Sequence, residues 1–374
     1  MPKVLLLTRY DRIGASSRVR ILQFLPLLVR RGFEFDIKPL LDRDYLTALY
    51  NNHPISWSPI FMSYMRRLRA LQEQERYDLI WLEKEAFPWV PASFELMMFS
   101  KVPYVVDIDD AWHVRYQQHR SSVARYLLAD KINRVIRNSA VALVGNECLA
   151  RFARDCGARR VHTIPSVIDL DRYRNVSSEP KPQGEPVVIG WIGAPPTLQY
   201  LLGITPALRK VLAERRAVLH IIGAAIPDEF RGLPVVSIPW SEATEVDEIR
   251  RFDIGIMPLF DGEWERGKCG YKLLQVMAAG KPVVASPVGA NSKIVQPDVN
   301  GAWAVSTADW VSALERLVDD PVLRQSMGEA ARQAVQKDYS LRNHFPRLAS
   351  ALIEAIGMRT TERRVAHCQV ERSS

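Results

Sequence analysis

At 374 residues, with 47% hydrophobic and 25% charged residues, the chain exceeds what one hydrophobic core normally holds and reads as two globular domains. No apolar run approaches the roughly eighteen residues of a membrane span, and the opening MPKVLLLTRYDR reaches charge too soon for a signal peptide, so a cytoplasmic protein is expected. Cys148, Cys156, Cys269 and Cys368 contain no C-x-x-C pair, which argues against a disulfide framework and against a zinc site.

In chain order, strand and helix patterns alternate. An apolar strand over 4–8 leads through a loop containing Gly14 to a helix over 17–31 that Gly32 closes. Residues 61–74, FMSYMRRLRALQEQ, set Arg66, Arg67 and Arg69 beside Phe61, Met62, Tyr64, Met65 and Leu68. That pattern fits an interfacial amphipathic helix, and equally a surface helix whose arginines snorkel over core contacts. Further strands are expected at 79–82, 102–108, 141–144 and 161–164. The segment NVSSEPKPQGEP, 175–186, is rich in Pro, Ser and Gly without an apolar run and reads as a linker. A second series follows at 187–192, 218–222, 235–238, 254–257 and 283–285, then a helix over 341–356. The tail from 358 to 374 lacks periodicity and is expected to be mobile. This gives a first domain over 1–174 and a second over 187–340, both doubly wound.

The net charge of +8 is uneven: residues 1–178 hold 27 Lys+Arg against 19 Asp+Glu, and the remainder 23 against 23. Such asymmetry suits nucleic acid, an anionic membrane surface or a phosphate-bearing substrate. Aromatic residues are not interleaved with the basic ones as a stacking platform needs, so no nucleic-acid partner is expected.

In open parallel sheets ligands sit beyond the carboxyl ends of the strands, which directs attention to the loops there. Residues 266–289 string a glycine-punctuated loop, a short helix and a buried strand together. Gly267 and Gly270 would let the backbone approach an anion, the Cys269 N–H would point at it, and a helix starting near Tyr271 would add its dipole. Lys268, Lys272 and Gln275 follow at spacings of four and three on one stripe, with Leu273, Leu274 and Met277 facing a core. The plainer alternative is an αβ unit with a solvated lysine face. Gly193 ends the strand 187–192 and Pro196 stands near a helix start, a second place for backbone donors. In the first domain Gly14-Ala-Ser-Ser-Arg18 is the matching loop, with Ser17 and Arg18 available to phosphate or another ligand group; Arg18 alternatively pairs with a surface carboxylate. Asp107-Ile-Asp-Asp110, followed by Trp112 and His113, lies at a strand end. Asp110 and His113 are candidates for contacting a bound ligand, or else a helix cap and a solvent-facing imidazole. Trp240 follows the strand 235–238, as a neighbour of a bound ligand or as a core or rim tryptophan.

The run KLLQVMAAGKPVVAS, beginning at Lys272, resembles the donor-site helix of family 4 glycosyltransferases with the GT-B fold. Weaker matches are residues 4–20, Ile189-Gly-Trp-Ile-Gly193 and Phe252-Asp-Ile-Gly-Ile-Met-Pro258. The resemblance implies an α/β chain of two Rossmann-like domains facing each other across a cleft, with the last helix crossing back to the first. It implies retaining transfer of a hexose-type sugar from a nucleoside diphosphate sugar to a glycan, lipid-linked or small-molecule acceptor. Assembly of cell-surface glycan at the inner face of the membrane would fit, without cofactor or metal. The sequence departs from the family's two glutamates eight positions apart: Gln275 holds the second place and Gly267 the first, with Glu263 and Glu265 out of register. An amide at 275 could still hydrogen-bond a ribose, while Lys268 and Lys272 would face the diphosphate, since no Lys or Arg follows Gly193 before Arg209. Asp107 and Asp109 spell the D-x-D that holds a divalent ion in the other large glycosyltransferase fold; here a metal-free site is expected because the donor-site helix belongs to a separate repeat. Two rival readings are a nucleotide-dependent oxidoreductase, whose G-x-G-x-x-G is not supplied by GWIGAPP, and a catalytically silent sugar- or nucleotide-binding relative.

Overall fold

The computed structural model describes residues 1–50, 53–99, 101–174 and 184–371. It divides into two units, one made of Met1–Ser166 with His344–Ser374 and the other of Val167–Asn343.

The first unit carries a six-stranded parallel sheet of β1 (Lys3–Leu7), β2 (Glu34–Ile37), β3 (Leu79–Glu83), β4 (Tyr104–Ile108), β5 (Val141–Val144) and β6 (Val161–Thr163), in the order β2-β1-β3-β4-β5-β6. The second carries β7 (Val187–Ile192), β8 (Ala217–Ile222), β9 (Val235–Ile238), β10 (Ile254–Met257), β11 (Val283–Ala285) and β12 (Gly301–Trp303), in the order β12-β11-β10-β7-β8-β9, also parallel. Helices cover both faces of such a sheet, so central strands bury every residue and read as continuous apolar runs. In β3 and β4 all five positions are buried. Chain order reverses between β1 and β3 in the first sheet and between β7 and β10 in the second, and each reversal opens a crevice beyond the strand ends.

The second unit has a core on each face of its sheet. Leu208, Val211 and Leu314 pack with Ile189, Trp191 and Ile221 on one side, and Leu273, Leu274 and Met277 with Val188, Ile192 and Val283 on the other.

Several expectations are corrected. The helix expected over 17–31 is broken into Ala15–Arg20, a 3-10 turn at Leu22–Phe24 and Leu25–Arg30. Pro26 stands in the first turn of the last piece, where its missing N–H and ring are tolerated, whereas mid-helix they are not. Gly32 does end the run, at φ +97°. Edge strands β2 and β12, partly exposed as EFDI and GAW, have no apolar run to announce them. The proline-rich segment suggests a boundary later than the one found. Most of the linker expected at 175–186 lies outside the described residues, and the units part at Ser166 and Val167. The reason is local: Ile168 exchanges backbone hydrogen bonds with Tyr339 and Leu341 at 2.9 Å each, and Tyr173 is buried in the second unit's core. The final helix, Leu341–Glu371, extends well past the expected 356. After Gly357 no Gly or Pro interrupts it, so nothing in the chain stops helix propagation.

Candidate active site

In the second unit the helix Tyr271–Ala278 begins from Gly270, whose φ of +68° is left-handed, and no side chain caps it. Glycine takes this conformation without the Cβ penalty, and a Cβ there would lie 2.3 Å from Ile294 Cδ1. The uncapped first turn presents N–H groups and the positive end of the dipole. Gly267, by contrast, has φ −74° as the C-cap of Glu263–Arg266, so its backbone conformation does not require glycine.

The lysines part company. Lys272 lies in the first turn and its Nζ donates to Thr197 Oγ1 at 3.1 Å, 5.0 Å from the Trp191 ring centroid. Thr197 belongs to the loop that follows β7, so this bond ties the helix start to the loop after Gly193. The absence of a cation in that loop is thereby made good from elsewhere in the chain. A Cβ on Gly193 would fall 2.4 Å from the Trp191 ring and 2.5 Å from Thr197 Oγ1, so only glycine allows this packing. Lys268 is not on the helix stripe expected for it. It stands in the preceding loop with Nζ 5.5 Å from the Tyr200 ring and 5.8 Å from the Trp264 ring. Tyr200 OH donates to Glu265 Oε1 at 2.6 Å, which brings the out-of-register glutamate to the same place. Cys269 is buried, its Sγ 3.7 Å from the Gly267 carbonyl oxygen.

Gln275 departs most from expectation. The helix is buried on nearly every side, and Gln275 is only 3% exposed. Its amide faces the Tyr173 hydroxyl without reaching hydrogen-bond geometry, leaving its Nε2 without a partner among the described residues. Trp240 stands close to Gly223, which in turn approaches the Gly193 carbonyl. Its Nε1 donates to Glu245 Oε2 at 2.9 Å and its ring packs on the core. Gly193, Gly223 and Trp240 thus gather at adjacent strand ends.

The first unit holds a buried polar network that sequence reasoning missed. Glu83 Oε2 accepts from the Arg9 N–H at 2.8 Å and from Ser17 Oγ at 2.6 Å, and its Oε1 accepts from Ser16 Oγ at 2.8 Å. Ser17 is therefore fully committed inside the fold. Gly14 caps the short helix against Tyr10, where a Cβ would lie 2.3 Å from Tyr10 Cβ. Arg18 donates to the carbonyls of Arg12 and Ile13, which braces its own loop. Asp107, inside β4, forms a buried pair with Arg20, whose Nε and Nη2 both donate to its Oδ1 at 3.0 and 2.9 Å. Burial above all, with Asp109 and Glu83 nearby, pushes its carboxyl up to about 6 against the pull of Arg20. Asp109 pairs with Lys84 at 3.0 Å and accepts from Ser16 Oγ at 2.6 Å. Burial works against its ionised form, but Lys84, Arg20 and these hydrogen bonds outweigh it and hold the carboxyl low. Both carboxylates of the D-x-D are thus occupied by cations of the chain. Among the described residues no group of three or more His, Cys, Asp or Glu is placed to hold a metal. Asp110 does not cap the Trp112–Gln117 helix by its side chain. His113 is no solvent-facing imidazole: it is buried, stacked on Phe152 at 3.6 Å.

Beyond β3, Glu85 is wholly buried. It pairs with Arg9 at 3.1 Å and Lys131 at 2.8 Å and accepts from Trp112 Nε1 at 2.7 Å and Tyr116 OH at 2.8 Å. Lys84 and Trp89 in this loop adopt positive φ, 64° and 63°, a strain that non-glycine residues bear mainly at functional sites. The only hint in sequence was the Glu83-Lys84-Glu85 triplet at the end of an apolar run.

Residues 186–320 match the family described as glycosyl transferases group 1. A D-inositol 3-phosphate glycosyltransferase of Pseudarthrobacter chlorophenolicus is 33% identical over 126 residues, 33% of this chain and 26% of that protein. A Bacillus subtilis glycosyltransferase named for teichuronic acid biosynthesis, TuaH, is 23% identical over 57% of each chain. The matched segments therefore span about a quarter and just over half of these relatives. Among solved structures, Anabaena HepE in complex with UDP-glucose superposes with a TM-score of 0.69 at 15% identity, over 94% of this chain and 99% of that one. Sucrose-phosphate synthase from Thermosynechococcus elongatus gives 0.66 at 15% identity over 98% and 100%. Both share the GT-B fold described above.

Proposed function

We infer that this chain, a group 1 glycosyl transferase by its residues 186–320, is a retaining enzyme that needs no metal and transfers a hexose-type sugar from a nucleoside diphosphate sugar. The observation that carries the reading is the joint at the second unit's switch point, where Lys272 on the Gly270-started helix bonds Thr197 of the loop after β7. A diphosphate placed there meets one helix N-terminus, a lysine held by a threonine and a tryptophan, and a second lysine stacked near Tyr200 and Trp264. As the bond from the anomeric carbon to the diphosphate oxygen breaks, the developing negative charge is stabilised by Lys272, Lys268 and the helix dipole. The acceptor oxygen bonds the anomeric carbon from the same face, and its proton passes to the departing diphosphate. No carboxylate nucleophile is needed. The pairing of Asp107 with Arg20 and of Asp109 with Lys84 supports a reaction independent of a divalent ion.

HepE is seen in complex with UDP-glucose and TuaH is named for teichuronic acid biosynthesis, so a uridine donor and a cell-surface glycan, lipid-linked or small-molecule acceptor are proposed first. The exposed apolar residues Trp57, Phe61 and Met62 on the helix Trp57–Gln72 support work at an anionic membrane surface. Incubation with a panel of sugar nucleotides should give acceptor-dependent release of the nucleoside diphosphate, unaffected by excess EDTA, with a product whose anomeric configuration matches the donor's. Binding of nucleotides without turnover for any donor and acceptor would favour a silent relative. An inverted product would overturn the retaining assignment.

A further inference from the structure

The buried network of the first unit ends in one exposed cation. Arg9 pairs with Glu85, Lys84 with Asp109, and Lys131 with Glu85 and Glu95. Arg115, one turn into the Trp112–Gln117 helix beyond β4, differs. It is exposed, and among the described residues no carboxylate is within ion-pair distance. Its Cζ instead lies 5.5 Å from the Trp89 ring centroid and 5.0 Å from that of Trp112.

Both rings are fixed from beneath. Trp112 Nε1 donates to buried Glu85. Trp89 is held at its left-handed backbone by its own N–H donating to Tyr116 OH at 3.2 Å, with its ring edge-on to Tyr116 at 5.2 Å and to His119 at 5.1 Å. Tyr116 OH also donates to Glu85. One buried carboxylate, itself balanced by Arg9 and Lys131, therefore sets the orientation of the two tryptophans that carry the guanidinium. Buried ion clusters contribute little net stability but do specify geometry. Cation–π contact engages the face of a guanidinium and leaves its N–H edges available for a planar, two-point oxyanion contact. Arg9 and Lys84 also lie over Trp112, at 4.4 and 5.0 Å, so an anion bound at Arg115 relieves the crowding of three cations on one ring.

We propose that Arg115, carried by Trp89 and Trp112, recognises an oxyanion on the acceptor, a phosphate or a carboxylate. The word acceptor rests on the glycosyl-transfer reading; the anion site itself does not.

The test uses full-length protein labelled with 5-fluorotryptophan, the two resonances being assigned with Trp89→Phe and Trp112→Phe. Methyl phosphate, acetate and glycerol are titrated into protein with and without saturating UDP. Saturable shifts of the Trp89 and Trp112 signals are expected with methyl phosphate, acetate or both, and none with glycerol; the stronger of the two anions identifies the group. Arg115→Ala should weaken that binding roughly 10- to 100-fold, and Arg115→Lys should recover only part of it, because an ammonium lacks the fork. UDP affinity should be the same in both variants. No saturable shift, or an equal shift in Arg115→Ala, overturns the proposal. Anion shifts without any response to UDP support the site while removing the donor reading, so the two failures are distinguishable.

Discussion

At the scale of single residues, Lys272 carries the sharpest expectation. A lysine about 4 Å from a departing diphosphate at an effective dielectric near 20 interacts by roughly 4 kcal/mol before desolvation is charged against it. Lys272→Ala should therefore lose about 2 to 4 kcal/mol of transition-state stabilisation, or on the order of 30- to 1000-fold in kcat. The side chain is half-buried and its contacts with Thr197 and Trp191 are polar and aromatic, so the urea midpoint should hardly move. Full activity in the variant would remove the helix start as the diphosphate site. This residue was legible in the sequence because a glycine before an apolar helix and a lysine in its first turn are both local signals. Its partners Thr197 and Trp191 were not, since they sit about 75 positions away along the chain and only the β7–β10 pairing brings them near. The burial of Gln275 was not legible for the same reason. Helical spacing gives the face of a helix but not how far a neighbour such as Tyr173 folds over it.

At the scale of elements, two junctions can be tested through stability. Gly270→Ala forces a Cβ into the left-handed region and against Ile294, at a cost of about 1 to 3 kcal/mol. A lower urea midpoint with reduced donor affinity is expected; an unchanged midpoint would mean the helix start relaxes freely. The second junction is β4 with the helix Ala15–Arg20, joined by Arg20 and Asp107. The Asp107 carboxyl titrates at about 6 in the fold against 3.8 when unperturbed. A folded value above the unfolded one means the folded state binds more protons in between. That share of stability is complete below about pH 4 and is lost as pH rises through about 6. The difference in urea midpoint between wild type and Asp107→Asn should fall across that window, with other groups cancelling; a rising or flat difference would contradict the burial-driven shift. The strands around these junctions were legible because both faces are buried and the sequence is continuously apolar. The broken helix and edge strands were not, because Pro26 and short polar edges respond to packing that a linear pattern does not contain.

At the scale of the whole molecule, charge and exposed apolar surface should act together at a membrane. The excess of basic residues lies entirely within the first 178 residues, and no helix among the described residues is long and apolar enough to cross a bilayer. In the helix Trp57–Gln72 the two readings of its arginines divide. Arg67 turns inward to the carbonyls of Thr8 and Lys38, where burial brings its guanidinium down to about 10. Arg66 and Arg69 remain exposed beside Trp57 at 81% and Phe61 at 65% exposure. The helix Ser122–Leu128 adds Tyr126 at 89% and Val123 at 65%. Two arginines near an anionic surface contribute roughly 1 kcal/mol each, so about 2 kcal/mol, or about 30-fold in partitioning, separates anionic from neutral vesicles. The Debye length shrinks from about 8 Å at 0.15 M salt to about 3 Å at 1 M, so that preference should collapse while any insertion of tryptophan and phenylalanine persists. Sedimentation with phosphatidylglycerol-containing and pure phosphatidylcholine vesicles measures both parts. Arg66→Gln with Arg69→Gln should abolish the anionic preference, and Trp57→Ser with Phe61→Ser should weaken binding to both vesicles. Equal binding to the two vesicle types, or none to either, would leave Arg66 and Arg69 as solvated surface charges and move the acceptor away from the membrane.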